Sequence, residues 1–150
     1  MLRMVIAVLA AGIGLAGPAT PAYAELLSAK RVVIAVLADD LFIGEAEGHL
    51  SGAGTLAIRS QRHPGLTCVG QFTSSAELGG SGQLQCSDGS TATFRFRRVS
   101  MFRGHGVASF SRGSMSFAYG FPPEEAVSYL KLPEGKKLTH NGTELVLADL

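Results

Sequence analysis

Three segments of this chain align at a spacing of 26 residues, starting at Phe42 (FIGEAEGHLSGAGTLAI), Cys68 (CVGQFTSSAELGGSGQLQC) and Phe94 (FRFRRVSMFRGHGVASF). Each starts with a short strand-like run, crosses a loop and reaches a G-x-G: Gly52/Gly54, Gly80/Gly82 and Gly104/Gly106. A second short strand-like run closes each segment. Repeats of this length mark stacked supersecondary units, and each unit reads as a β-hairpin. Residues 44–120 carry 14 glycines and no strong helical periodicity, the habit of many short strands joined by tight turns.

Pairing the leading residue of each unit with its last apolar one puts Phe42 opposite Ile58, Cys68 opposite Cys86 and Phe94 opposite Phe110. Directly opposed Cβ atoms lie ~4.5–5.5 Å apart, and a non-hydrogen-bonded pair closes toward the ~3.5–4.5 Å of a disulfide. A Cys68–Cys86 bridge therefore replaces an apolar cross-strand pair, and it has a structural role. The redox alternative lacks the C-x-x-C spacing. Alternation assigns Phe42, Leu56, Ile58, Phe72, Leu84, Phe94, Phe96 and Phe110 to one face. It assigns Glu45, Glu47, Arg59, Gln71, Gln83, Gln85, Arg95 and Arg97 to the other, one face buried and one wet. Met115, Phe117 and Tyr119 share a face of a further strand.

The cysteine and glycine pieces, Cys68-Val69-Gly70, Gly80-Ser81-Gly82 and Cys86-Ser87-Asp88-Gly89, resemble a small glycine-rich, Cys-paired β domain of uncharacterised exported bacterial proteins. That likeness covers residues 42–120 and implies no known reaction. The spaced G-x-G elements, with Phe42-Ile43-Gly44-Glu45, also resemble MORN-type hairpin repeats. The second likeness implies a binding or scaffold module.

The fragment VIAVLA occurs at 5–10 and again at 33–38. The first copy lies behind Arg3 in an uncharged run that leads to Ala22-Tyr23-Ala24, the layout of a secretory signal peptide. The run is shorter than the ~20 residues of a membrane span. Cleavage is expected after Ala24, leaving a single 25–150 domain with no transmembrane anchor, periplasmic or secreted. The second copy sits between Lys30-Arg31 and Asp39-Asp40 and reads as a strand buried on both faces. Loss of Arg3 leaves twelve cations and twelve acids, so no global field steers the domain.

After Phe121, Pro122-Pro123-Glu124-Glu125 suits a helix start, and about two turns are expected over Pro123–Leu130. A terminal hairpin turning at Asn141-Gly142 follows. The fold class is all-β, an antiparallel meander of about eight to ten short strands. It is curled or barrel-like, with one short C-terminal helix and a terminal hairpin, so that 42–120 form the hairpin core and 121–150 the tail.

No catalytic constellation emerges. His49, His63, His105 and His140 fall in separate predicted loops without paired ligand spacing, so no metal and no cofactor is expected. No G-x-S-x-G elbow occurs, and the glycine pairs lack the following helix of a phosphate cradle. Between Arg59 and Arg112 stand seven arginines and two acids. The candidate anion-binding residues are Arg59, Arg95, Arg97, Arg98 and Arg103. The alternative is a solvated face with ion pairs to Glu45 and Glu47. Nucleic acid is not the expected partner, because the aromatics that would stack on bases fall inside the fold. The expected function is a non-enzymatic periplasmic or secreted module that binds or scaffolds an envelope component. The alternative is a small inhibitor-like protein that blocks an extracellular or cell-wall enzyme through a loop at 73–81 or 99–105.

Overall fold

The structure, a computed structural model, describes residues 28–75 and 77–150; the expected signal peptide, 1–24, lies outside them. Eight antiparallel strands follow one another as a meander: β1 (Ser28–Leu37), β2 (Asp40–His49), β3 (Ala53–Ser60), β4 (Thr67–Ser75), β5 (Gly79–Cys86), β6 (Thr91–Ser100), β7 (Arg103–Phe110) and β8 (Gly113–Tyr119). β8 pairs back onto β1, Ala35 opposite Phe117, and the sheet closes into a barrel. Closure removes the unpaired edges that an open sheet would expose. The all-β meander expected from the sequence is thus a closed one.

The predicted alternation is observed. Phe42, Ile58, Leu84, Phe94 and Phe96 are buried in the interior cluster, with Leu56, Phe72, Phe110, Phe117 and Tyr119 packed against it. Cys68 is paired with Cys86 in the β4–β5 ladder and bonded to it. By the chain-entropy estimate this closure contributes about 3 kcal/mol. The two flanking registers differ from expectation: Ile58 faces Gly44 and Phe110 faces Ala92, with Phe42 against Ser60 and Phe94 against Ala108. Each is shifted by two residues. Because side chains repeat with period two along a strand, a two-residue shift keeps every residue on its own face.

Two of the three G-x-G elements, Gly80/Gly82 and Gly104/Gly106, lie within strands rather than before them, whereas Gly52 precedes β3 and Gly54 lies in it. Gly80, Gly82, Gly104 and Gly106 face inward on β5 and β7, and aromatic rings of the neighbouring strand lie over them. A Cβ at Gly82 would come within 2.5 Å of Phe94 Cζ, at Gly106 within 2.7 Å of Phe117 Cζ and at Gly80 within 2.9 Å of Phe96 Cζ. Rings covering sheet glycines are a known way to fix register. Here they build one aromatic wall, in which Phe72–Phe96, Phe94–Phe117 and Phe96–Tyr119 meet edge to face at 5.6–5.8 Å. Besides Leu37, Phe42, Leu56 and Ile58, the inner positions of β1–β3 include small residues: Val33, Ala35, Gly44, Ala46, Gly48 and Gly54.

β1 is buried on both faces over Val33–Val36. Its outer residues Ile34 and Val36 join Leu41, Ala118, Phe121, Ala126 and Leu130 in a second cluster. The cover comes from the tail: α1 (Pro123–Ala126), a 3-10 turn (Val127–Tyr129), and the hairpin β9 (Lys136–Asn141) and β10 (Glu144–Asp149). Helix was expected to Leu130; its second half is instead a tighter 3-10 turn. Asn141 pairs with Glu144, so the terminal turn is Gly142-Thr143, one residue later than expected, with Gly142 at φ +67°. The first hairpin turns at Ala38-Asp39, because Asp40 already pairs with Leu37.

The barrel ends differ. One carries the turns Ala38-Asp39, 61–66, 87–90 and Ser111-Arg112. It is sealed by the disulfide, Phe42, Leu66 and Phe110 and by buried Ser60, whose hydroxyl donates to Asp40 (2.6 Å) and accepts from the His63 N–H (2.9 Å). In the 87–90 turn Gly89 has φ +89° and Asp88 accepts the Ser90 N–H at 2.9 Å. The other end, with the β2–β3, β4–β5 and β6–β7 turns, is open.

Candidate binding cavity

An eight-stranded barrel is wide enough either to fill with side chains or to hold one small ligand. Small residues on β1–β3 and glycines under the aromatic wall leave this one hollow. A cavity of about 780 Å³ runs from the open end down to Ile58, Leu84 and Met115. Its walls are Val33, Ala35, Ala46 and Leu56 on one side and Phe72, Phe94, Phe96 and Phe117 on the other. Size and lining match the usual small-molecule site, apolar walls with a few convergent polar groups.

The polar groups gather at the mouth. Arg98 is the last inward position of β6, opposite Gly104, which in turn faces Tyr119 on β8. Its Nη1 donates to the Met101 carbonyl (2.7 Å) and its Nη2 to Ser74 Oγ (2.8 Å), and the Ser74 hydroxyl in turn donates to the Gly52 carbonyl (3.1 Å). The Nε–H is buried and has no acceptor among the described residues. Tyr119, half-buried beside it, has its phenol pushed above the ordinary 10.0 by burial, with the Arg98 charge pulling the other way. The phenol is therefore a neutral donor at physiological pH. Arg31 stands across the mouth over the Phe102 ring, 4.3 Å from its centroid. Neither Arg31 nor Arg98 has a carboxylate partner among the described residues; the cross-strand acid Glu45 is taken by Lys30 at 3.9 Å.

The five arginines proposed from sequence do not converge. Arg95 and Arg97 project side by side from the outside of β6, whereas Arg59 lies on β3, three strands around the barrel. Arg103 is bound to Glu125 (3.2 Å) and lies over Phe121. Arg98 points inward. The histidines are not a loop set: His49 ends β2, His105 lies on β7 stacked on Tyr129 at 4.3 Å, His140 lies on β9, and only His63 is in a loop. The segments 73–81 and 99–105 are mostly strand with short turns. Sequence reasoning missed Arg31, Ser74 and Tyr119, and it missed the hollow itself.

The polar exterior, with Gln71, Gln83, Gln85, Arg95 and Arg97 outward and phenylalanines inward, reverses the pattern of a barrel that spans a bilayer. No described helix is long and apolar enough to cross a membrane. Comparison with protein-family models, with curated proteins and with solved structures finds no match for the chain.

Proposed function

We propose that the protein is a non-enzymatic carrier that binds an amphipathic monoanion, a long-chain carboxylate, with the tail in the barrel and the carboxylate at Arg98. The carrying observation is the juxtaposition of an apolar cavity with a guanidinium at its mouth that has more donors than the wall has acceptors. An arginine forks naturally onto a carboxylate, and the Tyr119 phenol adds a neutral donor beside it. The disulfide suits an oxidising compartment, and with the expected signal peptide it supports a periplasmic or secreted carrier of an envelope-derived lipid component. The outward pair Arg95 and Arg97 takes no part in this site.

The test is a fluorescence titration with a polyene fatty acid, displaced by saturated acids of increasing length. Each buried CH2 contributes about 0.8 kcal/mol, roughly fourfold in affinity, until the chain outgrows the cavity. Arg98→Gln removes a charge-assisted contact of about 1.5–3 kcal/mol and raises Kd at least about tenfold. The methyl ester binds wild type as weakly as the acid binds the variant. An ester bound as tightly as the acid refutes the role of Arg98, and affinity independent of chain length refutes the cavity.

A further inference from the structure

The two ends of the barrel differ in the chemistry of their turns as well as in closure. At the sealed end the turns are polar. At the open end every turn exposes a large apolar side chain: Leu50 (79% exposed) on β2–β3, Leu78 (78%) on β4–β5, and Met101 (71%) with Phe102 on β6–β7. Val99 extends the same patch at the end of β6. Leu50, Met101 and Phe102 also line the cavity mouth, so the patch and the entrance are one surface. Behind the tips stand Arg31, Arg97 and Arg98, each without a carboxylate partner among the described residues; of the acids near that end, Glu47, Glu77 and Glu125, the last is paired with Arg103.

Exposed apolar residues gathered around an opening mark a docking surface rather than the ordinary scatter of single ones. We infer that the open rim docks onto the surface of an anionic lipid bilayer, seating Leu50, Leu78 and Met101 among the headgroups and opening the cavity toward the acyl region. Apolar tips backed by cations are the chemistry of interfacial binding. The inference rests on the carboxylate-carrier reading for its choice of a lipid surface, since a ligand of that class enters from and returns to a bilayer.

The chain has no tryptophan, so a single one is a clean reporter. Leu78→Trp and Met101→Trp at the rim and Ser111→Trp at the sealed end are placed, one at a time, in the full chain. Each is titrated with phosphatidylglycerol–phosphatidylethanolamine vesicles, with and without brominated acyl chains. Residues 1–24 are common to all three, so differences between reporters read the barrel ends. The expected result is a blue shift and bromine quenching at 78 and 101 and neither at 111. The double variant Leu78→Asp, Met101→Asp lowers the vesicle-bound fraction at least about tenfold. Unshifted rim reporters overturn the inference, as does an equal response at 111. A rim blue shift that grows with protein concentration in lipid-free buffer also overturns it, assigning the rim to a mouth-to-mouth pair of copies. Binding of a free fatty acid in vesicle-free buffer is measured in parallel. Acid bound with silent rim reporters removes only the docking surface; rim insertion with no acid bound removes the carrier reading.

Discussion

Arg98 differs from its sequence neighbours only by position along one strand. In Phe94-Arg95-Phe96-Arg97-Arg98 the alternation sends Arg95 and Arg97 out and Arg98 in, so its direction was legible from residue parity. That an inward arginine is tolerable was not legible, because it depends on β6 ending at the open mouth, on the Met101 carbonyl of the adjoining turn folding back and on Ser74 arriving from β4. Tyr119 is a second such case: its spacing from Met115 and Phe117 assigns its face, and only the register of the β6–β7 and β7–β8 ladders, through Gly104, brings it beside Arg98. Its raised pKa carries a sign. Burial holds the phenol protonated in the fold, so its contribution to stability is full below 10.0 and declines as pH rises from that value through the folded one. Urea midpoints measured from pH about 9 to 12 fall more steeply for wild type than for Tyr119→Phe. Identical slopes would contradict the burial assigned to this hydroxyl.

The hairpins were the most legible elements, and the disulfide was the most legible pair, since a covalent bond admits one register. The flanking hairpins slid by two residues because their ladders contain glycine at the pairing positions, Gly44 opposite Ile58 and Gly106 opposite Phe96. With no side chain on one partner, apolar pattern cannot choose between registers of equal parity. Gly106, with Gly80, Gly82 and Gly104, also holds the aromatic wall. Gly82→Ala or Gly106→Ala forces a methyl group against a ring and a facing carbonyl, Gln71 or Arg95. Each change costs about 1–3 kcal/mol of unfolding free energy as an overpacked core does, read from denaturant melts. Alanine at Gly89, where no atom lies within 4 Å, meets only the cost of its left-handed backbone, about 1–2 kcal/mol. Equal stability of wild type and both wall variants would contradict the ring-over-glycine packing.

At the scale of the whole molecule the terminal tail and the hollow interior have one origin. β1 has apolar residues on both faces, so the barrel needs an outer cover, which the tail after β8 provides through Phe121, Ala126, Leu130, Leu138 and Leu145. Inside, small residues on β1–β3 face large rings on β4–β8, and the mismatch in volume leaves the cavity. The all-β class, the strand faces and the helix–hairpin tail were readable from apolar periodicity. A curled or barrel-like sheet was expected, but the closing pair itself was not readable, because β8 and β1 join residues as far apart as Val33 and Tyr119, and no local pattern records it. The direct check on the central claim, that the barrel interior is the binding site, is a cavity-filling substitution. Ala46→Phe places a ring in the hollow from the small-residue side, where Ala46 already lines the wall. The account predicts at least about a tenfold loss of affinity for the polyene fatty acid with the cooperative melt retained. An unchanged Kd in a folded Ala46→Phe protein would place the ligand outside the barrel and contradict it.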